Sequence, residues 1–177
     1  LGEVDQFCTD YEKQLQKLGG LGFFLGGIGP DGHIGFNVRG SDHFSTTRLT
    51  EPNYETKAAA ASDLGGIEVA RHKHVITIGL STITYNPKAV ALIFAAGEAK
   101  AEVVANTIYS DEVNFFPGSV LSKLPNARFY LTRGAAVKMK NRVFVDFTRK
   151  QNYTQDDVNR VVMDLSLQYR KPIRTLS

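Results

Sequence analysis

The chain has 177 residues, of which 42% are hydrophobic and 22% charged, a composition that fits one globular domain of ordinary size. No apolar run approaches the roughly 20 residues that a membrane helix needs, and no leader of the secretory type stands at the N-terminus. The short apolar runs lead us to expect no membrane partner. The single cysteine, Cys8, excludes an internal disulfide, so we expect a reducing, cytoplasmic environment.

The net charge of +3 is unevenly distributed along the chain. Residues 1–132 carry 11 basic and 14 acidic side chains, whereas residues 133–177 carry 10 basic and 4 acidic ones. A basic segment can attract nucleic acid or anionic substrates. Because these bases follow an amphipathic helical pattern, without aromatic residues at base-stacking spacing, we expect a solvated helix face and no nucleic-acid partner.

The first third of the chain predicts a helix, a buried strand and a long loop. Four apolar residues recur at helical spacing before Gly19-Gly20, namely Phe7, Tyr11, Leu15 and Leu18. We expect Cys8, within this helix, to be a small buried hydrophobic residue rather than a nucleophile. The apolar run 21–28 predicts a buried strand, and the polar stretch 29–55, rich in Gly, Pro, Asp and Asn, predicts a functional loop.

The rest of the chain alternates predicted helices and strands. Strands are predicted at 74–80, 89–96, 128–132 and 142–147. Helices are predicted in the Ala-rich stretch 56–70 until Gly65-Gly66, after Gly97 (with Ala101, Val104, Ala105 and Ile108 on one face) and at 117–124, where Pro117 occupies the first turn. A final helix is marked by Thr154 and Asp157, which resemble a capping box, and by a stripe at Val158, Val161, Val162, Leu165 and Tyr169.

Continuously apolar strands that alternate with helices are typical of an α/β protein with a mostly parallel sheet, covered by helices on both faces. We expect a single domain over residues 1–177, in which 141–177 add a strand and a basic amphipathic C-terminal helix. A parallel sheet that begins at Leu21 has few partners on its N-terminal side, and the chain does not begin with Met. These observations predict a partial or truncated version of a larger α/β unit.

The segment Gly26-Gly27-Ile28-Gly29-Pro30-Asp31-Gly32-His33-Ile34-Gly35-Phe36-Asn37 carries the chemistry. It directly follows a predicted strand, and open α/β sheets bind ligands at the carboxyl ends of their strands. Glycines let backbone N–H groups approach a ligand closely. Asp31 and His33, two residues apart, can point into one cleft.

From the residues alone, three other interpretations of this segment stay open. Gly27-x-Gly29-x-x-Gly32 matches a dinucleotide fingerprint, although a fingerprint should open a helix and residues 34–40 have no helical pattern. The Asp-x-His pair could bind a metal, with further ligands drawn from His43, His72 and His74, none of which stands at a convincing ligand spacing. A Pro-Asp-Gly turn with a surface histidine would also explain three of the residues.

The run Gly29-Pro30-Asp31-Gly32-His33-Ile34-x-Phe36-Asn37 resembles the signature of the glucosamine-6-phosphate deaminase (isomerase) family. The similarity extends over about residues 5–135, through the helix at 5–18, Ser41, Thr47-Arg48-Leu49, Thr77-Ile78-Gly79 with Thr82, and Gly97-x-x-Lys100-Ala101. It corresponds to the C-terminal portion of the family's catalytic domain. The more distant 6-phosphogluconolactonases share the Gly-Pro-Asp-Gly-His core and usually lack the Ile-x-Phe-Asn continuation.

This resemblance implies a Rossmann-like fold over residues 1–140 and an enzyme that needs no cofactor and no metal. The family reaction opens the hexose ring of a phosphorylated amino sugar, glucosamine 6-phosphate, moves a proton between C1 and C2, and releases ammonia to leave fructose 6-phosphate. His33 occupies the position of the acid/base in ring opening, and Asp31 would orient it. The family often forms closed oligomers, so we expect a homo-oligomer or part of a longer chain.

The resemblance also implies binding residues. Gly29, Gly32, Asn37 and Lys100 match substrate-binding positions, and Lys100, just inside a helix that follows a strand, would hold the sugar phosphate. The alternative for Lys100 is a solvated helix lysine without a role in binding. Ser41 and Arg48 match positions that bind the phosphate of an allosteric activator in some members, although Thr50 replaces the activator-site lysine.

Two departures from the family pattern bear on activity. Val38 stands where the family has a glutamate that completes the catalytic relay. The family's phosphate-binding arginine is expected near position 62, but this chain has Ser62 there, and the nearest basic residue is Lys57. The carboxylate that moves the C2 proton and the phosphate-cradling loop belong to the family's N-terminal half. The sequence therefore leaves two alternatives beside the deaminase: a catalytically silent sugar-phosphate-binding or regulatory domain, and a 6-phosphogluconolactonase-like esterase.

Overall fold

The computed structural model describes residues 2–63, 65–110, 114–139 and 147–175. The chain divides into two compact units, residues 1–138 and 139–177, each considered by itself below. The expectation of a single domain over 1–177 stays a prediction. No helix in the described residues is long and apolar enough to cross a membrane.

The first unit alternates short helices and strands. The helices described are α1 (Gly2–Lys17), α2 (Tyr54–Ala59), α3 (Ile67–Ala70), α4 (Leu80–Thr84) and α5 (Ala101–Tyr109). The strands described are β1 (Phe23–Gly27), β2 (Arg48–Thr50), β3 (Val75–Thr77), β4 (Val90–Ala95) and β5 (Asn126–Leu131). Two 3₁₀ segments, Glu98–Lys100 and Pro117–Lys123, complete the unit.

The main sheet has three strands in the order β1-β4-β5, and both strand pairs are parallel. This confirms the predicted α/β class with a mostly parallel sheet. The carboxyl ends of β1 and β4 lie side by side, since Gly27 is in register with Phe94. The loop after β1 and the start of α5 therefore emerge at the same edge of the sheet, where open α/β sheets bind their ligands.

Three element predictions in the middle of the chain were wrong. The predicted strand 74–80 is limited to β3, which pairs antiparallel with β2 instead of joining the main sheet, and α4 begins directly after Gly79. The predicted loop 29–55 contains β2 and the start of α2. The helix predicted from residue 56 until Gly65-Gly66 is shorter than expected, because α2 ends at Ala59; α3 begins at Ile67, after the two glycines, both of which have a positive φ.

The two faces of the main sheet differ in their burial. On one face the central strand presents Ala91, Ile93 and Ala95, all of them buried. On the opposite face the strands carry apolar side chains that are more than half exposed, namely Phe23, Leu25, Phe94 and Tyr130. Phe94 stacks on Tyr130 with ring centroids 5.2 Å apart. The residues described thus bury one face, although parallel sheets usually have both faces covered.

The buried face of α1 is not the predicted apolar stripe. Phe7 and Leu18 are 60% and 82% exposed, whereas Cys8 and Glu12 are buried. Cys8 therefore has the buried position expected from the sequence. Glu12 is buried because its Oε1 accepts hydrogen bonds from the Thr47 N–H (2.8 Å), the Thr47 hydroxyl (2.6 Å) and the Thr82 hydroxyl. These bonds join α1 to the start of β2 and to α4.

The second unit contains the predicted C-terminal helix, α6 (Gln155–Tyr169), followed by a 3₁₀ turn, Ile173–Thr175. Thr154 and Asp157 form the predicted capping box, with each side chain bonded to the other's backbone N–H. The predicted buried stripe was wrong in part, since Val161 is buried but Tyr169 is exposed. The predicted strand 142–147 lies, except for Phe147, outside the described residues.

Candidate functional site

The loop after β1 is folded into a tight turn by two backbone hydrogen bonds. The Gly29 N–H donates to the His33 carbonyl (2.9 Å), and the Gly32 N–H donates to the Gly29 carbonyl (3.1 Å). Gly32 has a φ of +80°, a conformation that residues with a side chain rarely adopt. The turn projects the side chains of Asp31 and His33 in the same direction.

Asp31 and His33 form a hydrogen-bonded pair, in which Asp31 is buried and His33 is half-buried. The Nδ1 of His33 lies 2.5 Å from the Oδ1 of Asp31, and the two side chains are 12% and 8% exposed. An ionised carboxylate only accepts hydrogen bonds, so Nδ1 carries the proton and donates it. The alternative of a turn with a surface histidine was therefore wrong. The dinucleotide alternative fails as well, because no helix begins between the loop and α2.

The second oxygen of Asp31 has its own donors. Its Oδ2 accepts from the backbone N–H of Arg39 (3.0 Å) and from the Nδ2 of Asn53 (2.8 Å). Burial of the Asp31 carboxyl would raise its pKa, but the hydrogen bonds from His33, Arg39 and Asn53 outweigh burial and hold the pKa well below its usual range. Asp31 is therefore a carboxylate at neutral pH.

The first turn of α2 reaches the pair from the opposite side. Asn53 is the N-cap of α2, and the Thr56 hydroxyl lies 3.2 Å from the Nδ1 of His33. Sequence reasoning missed both residues. The available signal was local: Asn is a favoured N-cap residue, and Glu55 places an acidic residue in the first turn that follows.

Asn37, Ser41 and Arg48 meet in a second polar cluster. The buried amide of Asn37 donates from Nδ2 to the carbonyls of Ile34 (3.0 Å) and Ile78 (2.8 Å). Arg48 donates from Nη1 to the Oδ1 of Asn37 (2.8 Å) and from Nη2 to the hydroxyl of Ser41 (3.2 Å). Asn37 is thus engaged within the protein, and its predicted contact with substrate stays a prediction.

Burial lowers the pKa of Arg48, while nearby Asp42 opposes that shift. Ser41 and Arg48 are adjacent, as a shared phosphate site requires. Thr50, at the position where the resemblance implies an activator-site lysine, is part of β2. The role of Ser41 and Arg48 toward an allosteric phosphate stays a prediction.

Lys100 follows the carboxyl end of β4 and is hydrogen-bonded to the loop after β1. It is the last residue of the 3₁₀ turn after β4 and directly precedes α5, and its Nζ donates to the carbonyl of Ile28 (2.8 Å). Ile28 directly precedes Gly29. Lys100 is half-buried, unlike a solvated helix lysine, and its ammonium stands beside the turn that carries Asp31 and His33.

Val38 and Ser62, the two positions at which the sequence departs from the family pattern, lie in different environments. Val38 is half-buried and brings no polar group to the pair, and Ser62 is exposed. Lys57 is buried, and its ammonium contacts a Glu51 carboxylate oxygen and the Arg71 carbonyl, each at 2.7 Å. The Lys57 ammonium therefore binds groups outside the Asp31–His33 pair. Among the described residues no group of three His, Cys, Asp or Glu side chains could hold a metal ion.

The parallel sheet and this loop define the chain as an open-sheet α/β protein with a polar site at the carboxyl ends of its strands. No protein-family model matches it. It is 39% identical over 139 residues to a glucosamine-6-phosphate deaminase of Streptomyces avermitilis, covering 78% of this chain and 52% of that protein. It is 35% identical over 133 residues to a glucosamine-6-phosphate deaminase of Shouchella clausii, covering 75% and 53%.

The fold of the chain is also similar to that of a solved structure. A monomeric glucosamine-6-phosphate deaminase superposes with a TM-score of 0.68 at 30% identity, over 76% of this chain and 54% of that one. The chain belongs to the glucosamine-6-phosphate deaminase family. It spans about half the length of the curated relatives it matches.

Proposed function

We propose that the protein to which this chain belongs is a deaminase/isomerase that converts glucosamine 6-phosphate to fructose 6-phosphate and ammonia, a hydrolytic deamination. The observation that carries the proposal is the partly buried hydrogen bond between His33 Nδ1 and Asp31 Oδ1, in the loop that follows β1. The single, buried cysteine fits action in the reducing cytoplasm.

In this proposal His33 exchanges protons with the sugar during ring opening. With Nδ1–H donating to Asp31, the neutral imidazole keeps a lone pair on Nε2. Nε2 takes the proton of the anomeric hydroxyl and returns a proton to the ring oxygen, which opens the hemiacetal. The Asp31 carboxylate stabilises the imidazolium formed between these two transfers.

Lys100 is the proposed contact for the sugar phosphate. Its ammonium has three donor positions, and the hydrogen bond to Ile28 accounts for one of them. It stands where α5 begins, so the positive end of that helix adds to the attraction for a phosphate. The predicted substrate contacts of Gly29 and Gly32 stay predictions, since a Cβ at Gly29 would meet the ring of His33 and one at Gly32 would meet Thr107 and Phe116.

The test is ammonia release from glucosamine 6-phosphate by the full-length protein and by its His33→Ala variant. We expect turnover in the unchanged protein and its loss in the variant, because the proposal assigns to His33 both proton transfers of ring opening. The exposed His72, substituted in the same way, is the matched control and should retain turnover. A full-length protein that releases no ammonia under any condition would remove the proposal.

A non-catalytic phosphosugar-binding domain is the second candidate. Val38 favours it, because this half-buried apolar residue stands where the family carries the glutamate of the catalytic relay. Calorimetry that detects binding of glucosamine 6-phosphate, together with absence of turnover, would select this candidate. Turnover by the full-length protein would exclude it.

A further inference from the structure

Two side chains of the first turn of α2 contact the Asp31–His33 pair directly, and the loop that carries the pair contributes neither of them. Asn53 donates to Asp31, and Thr56 lies beside His33. The two residues are themselves connected, since the Oδ1 of Asn53 accepts a hydrogen bond from the Thr56 N–H (3.0 Å). The pair and the helix end therefore form one hydrogen-bonded unit.

The helix cap fixes the orientation of the Asn53 amide. Its oxygen must face the Thr56 N–H to cap α2, which turns its Nδ2 toward the carboxylate of Asp31 at 2.8 Å. The backbone N–H of Arg39 donates to the same Oδ2 from another direction. With Oδ2 held by two donors, Oδ1 stays directed at His33.

Thr56 constrains the imidazole in a different way. Its side chain is 2% exposed, and its Oγ1 lies 3.2 Å from the Nδ1 of His33. A hydroxyl can donate or accept, and it accepts here because the carboxylate of Asp31 keeps the proton on Nδ1. The Asp31 carboxylate therefore selects the tautomer that carries its proton on Nδ1 and leaves Nε2 as the acceptor, and Thr56 adds a second contact to Nδ1 that limits rotation of the ring away from Asp31.

We propose that Asn53 and Thr56 are positioning residues that fix the tautomer and the orientation of His33 through the first turn of α2. They touch Asp31 and His33 and need no contact with the sugar. The effect on the tautomer stands by itself, whereas its consequence for turnover rests on the proposed deaminase function.

The first experiment records ¹⁵N resonances of the His33 ring in the full chain. Asn53→Ser keeps a cap acceptor for the Thr56 N–H and removes the donor to Asp31. Thr56→Val is nearly isosteric and removes the hydroxyl, whereas Thr56→Ser retains it. Glu55→Gln, an exposed substitution in the same helix turn, is the matched control.

We expect the unchanged chain, Thr56→Ser and Glu55→Gln to show one protonated and one unprotonated ring nitrogen, with the proton on Nδ1. In Asn53→Ser and Thr56→Val the two ¹⁵N signals should move toward each other as the tautomers mix. Identical His33 signals in all five proteins would overturn the inference, because neither side chain would then influence the imidazole.

The second experiment measures steady-state kinetics of the full-length protein with glucosamine 6-phosphate. Loss of one hydrogen bond to the pair should lower kcat roughly 10-fold at an unchanged KM in Asn53→Ser and Thr56→Val. Thr56→Ser should restore most of kcat. A rise in KM alone would contradict a positioning role. Absence of turnover in the unchanged protein would refute the proposed function, while the ring signals would still decide the inference.

Discussion

The imidazole of His33 packs directly against the backbone of Gly29. A Cβ atom added at Gly29 would lie 1.9 Å from the Cε1 of His33 and 2.2 Å from both ring nitrogens, closer than any real contact. The backbone of Gly29 is also bonded to the His33 carbonyl, so neither partner can move independently. The ring of His33 therefore occupies the space that a side chain at position 29 would need.

This contact predicts that Gly29→Ala displaces His33 from Asp31. Because the ring must move or the turn must open, we expect a loss of about 1–3 kcal/mol in the free energy of unfolding. We also expect loss of the characteristic His33 ring signals. Gly22→Ala is the matched control, since a Cβ there meets nothing within 4 Å, and it should change stability by less than about 0.5 kcal/mol. Equal effects of the two substitutions would disprove the packing relationship.

The low pKa of the Asp31 carboxyl predicts a pH-dependent contribution to stability. A carboxyl whose pKa is lowered by folding stabilises the folded state above its unfolded pKa of about 4, and that contribution is lost as the pH falls toward the folded pKa. The free energy of unfolding should therefore be lower in Asp31→Asn than in the unchanged chain at pH 7, and the difference should shrink below about pH 4.

Denaturant titrations at several pH values between neutrality and pH 2 would measure this difference. Asp63→Asn, at an exposed position, serves as the reference substitution. If the gap between Asp31→Asn and the unchanged chain stayed constant over the whole range, ionisation of Asp31 would not be what stabilises the loop.

The site loop could be predicted from the sequence because its chemistry is local. Gly29, Asp31, Gly32 and His33 lie within five residues and follow an apolar strand, so turn chemistry and strand position suffice to bring them together. β4 was predictable for a similar reason, as its apolar run is continuous and bounded by turn residues.

The remaining features depend on tertiary contacts that no local pattern encodes. β3 pairs with β2 across more than twenty residues, and each strand has only three residues, too few for a clear periodicity. Asn53 contacts Asp31 only because α2 packs beside the loop. Phe7 in α1 and Leu18 directly after it indicated the wrong face of the helix, because the buried face is anchored by hydrogen bonds to Glu12.

The unequal burial of the two sheet faces predicts unequal costs of truncation. Ile93 is completely buried, and Ile93→Ala should lower the free energy of unfolding by about 2–5 kcal/mol through lost burial and a cavity. Leu25, 60% exposed on the other face, should cost less than about 1 kcal/mol when changed to alanine. Chemical denaturation of the chain measures both values, and a large loss in Leu25→Ala would mean that this face is covered.

The buried carboxylate of Glu12 predicts a second stability effect. Glu12→Ala leaves the Thr47 N–H and the hydroxyls of Thr47 and Thr82 without their acceptor, which should lower the free energy of unfolding by about 2–4 kcal/mol. Glu12→Gln retains a carbonyl oxygen and should cost about half as much. A neutral Glu12→Ala variant in thermal and denaturant unfolding would show that these bonds do not anchor α1.

The position of Lys100 predicts a defect in ligand binding rather than in folding. Its ammonium stands at the junction of β4, α5 and the site loop, so Lys100→Met should weaken the affinity for glucosamine 6-phosphate at least about 10-fold, as expected for a lost charged hydrogen bond. Lys88→Met tests the specificity of the effect, since exposed Lys88 precedes the amino end of the same strand. Calorimetry with the full-length protein gives both affinities whether or not turnover occurs. Equal affinities of the two variants would place the phosphate elsewhere, whereas a loss confined to Lys100→Met would locate it at the carboxyl end of β4, beside His33.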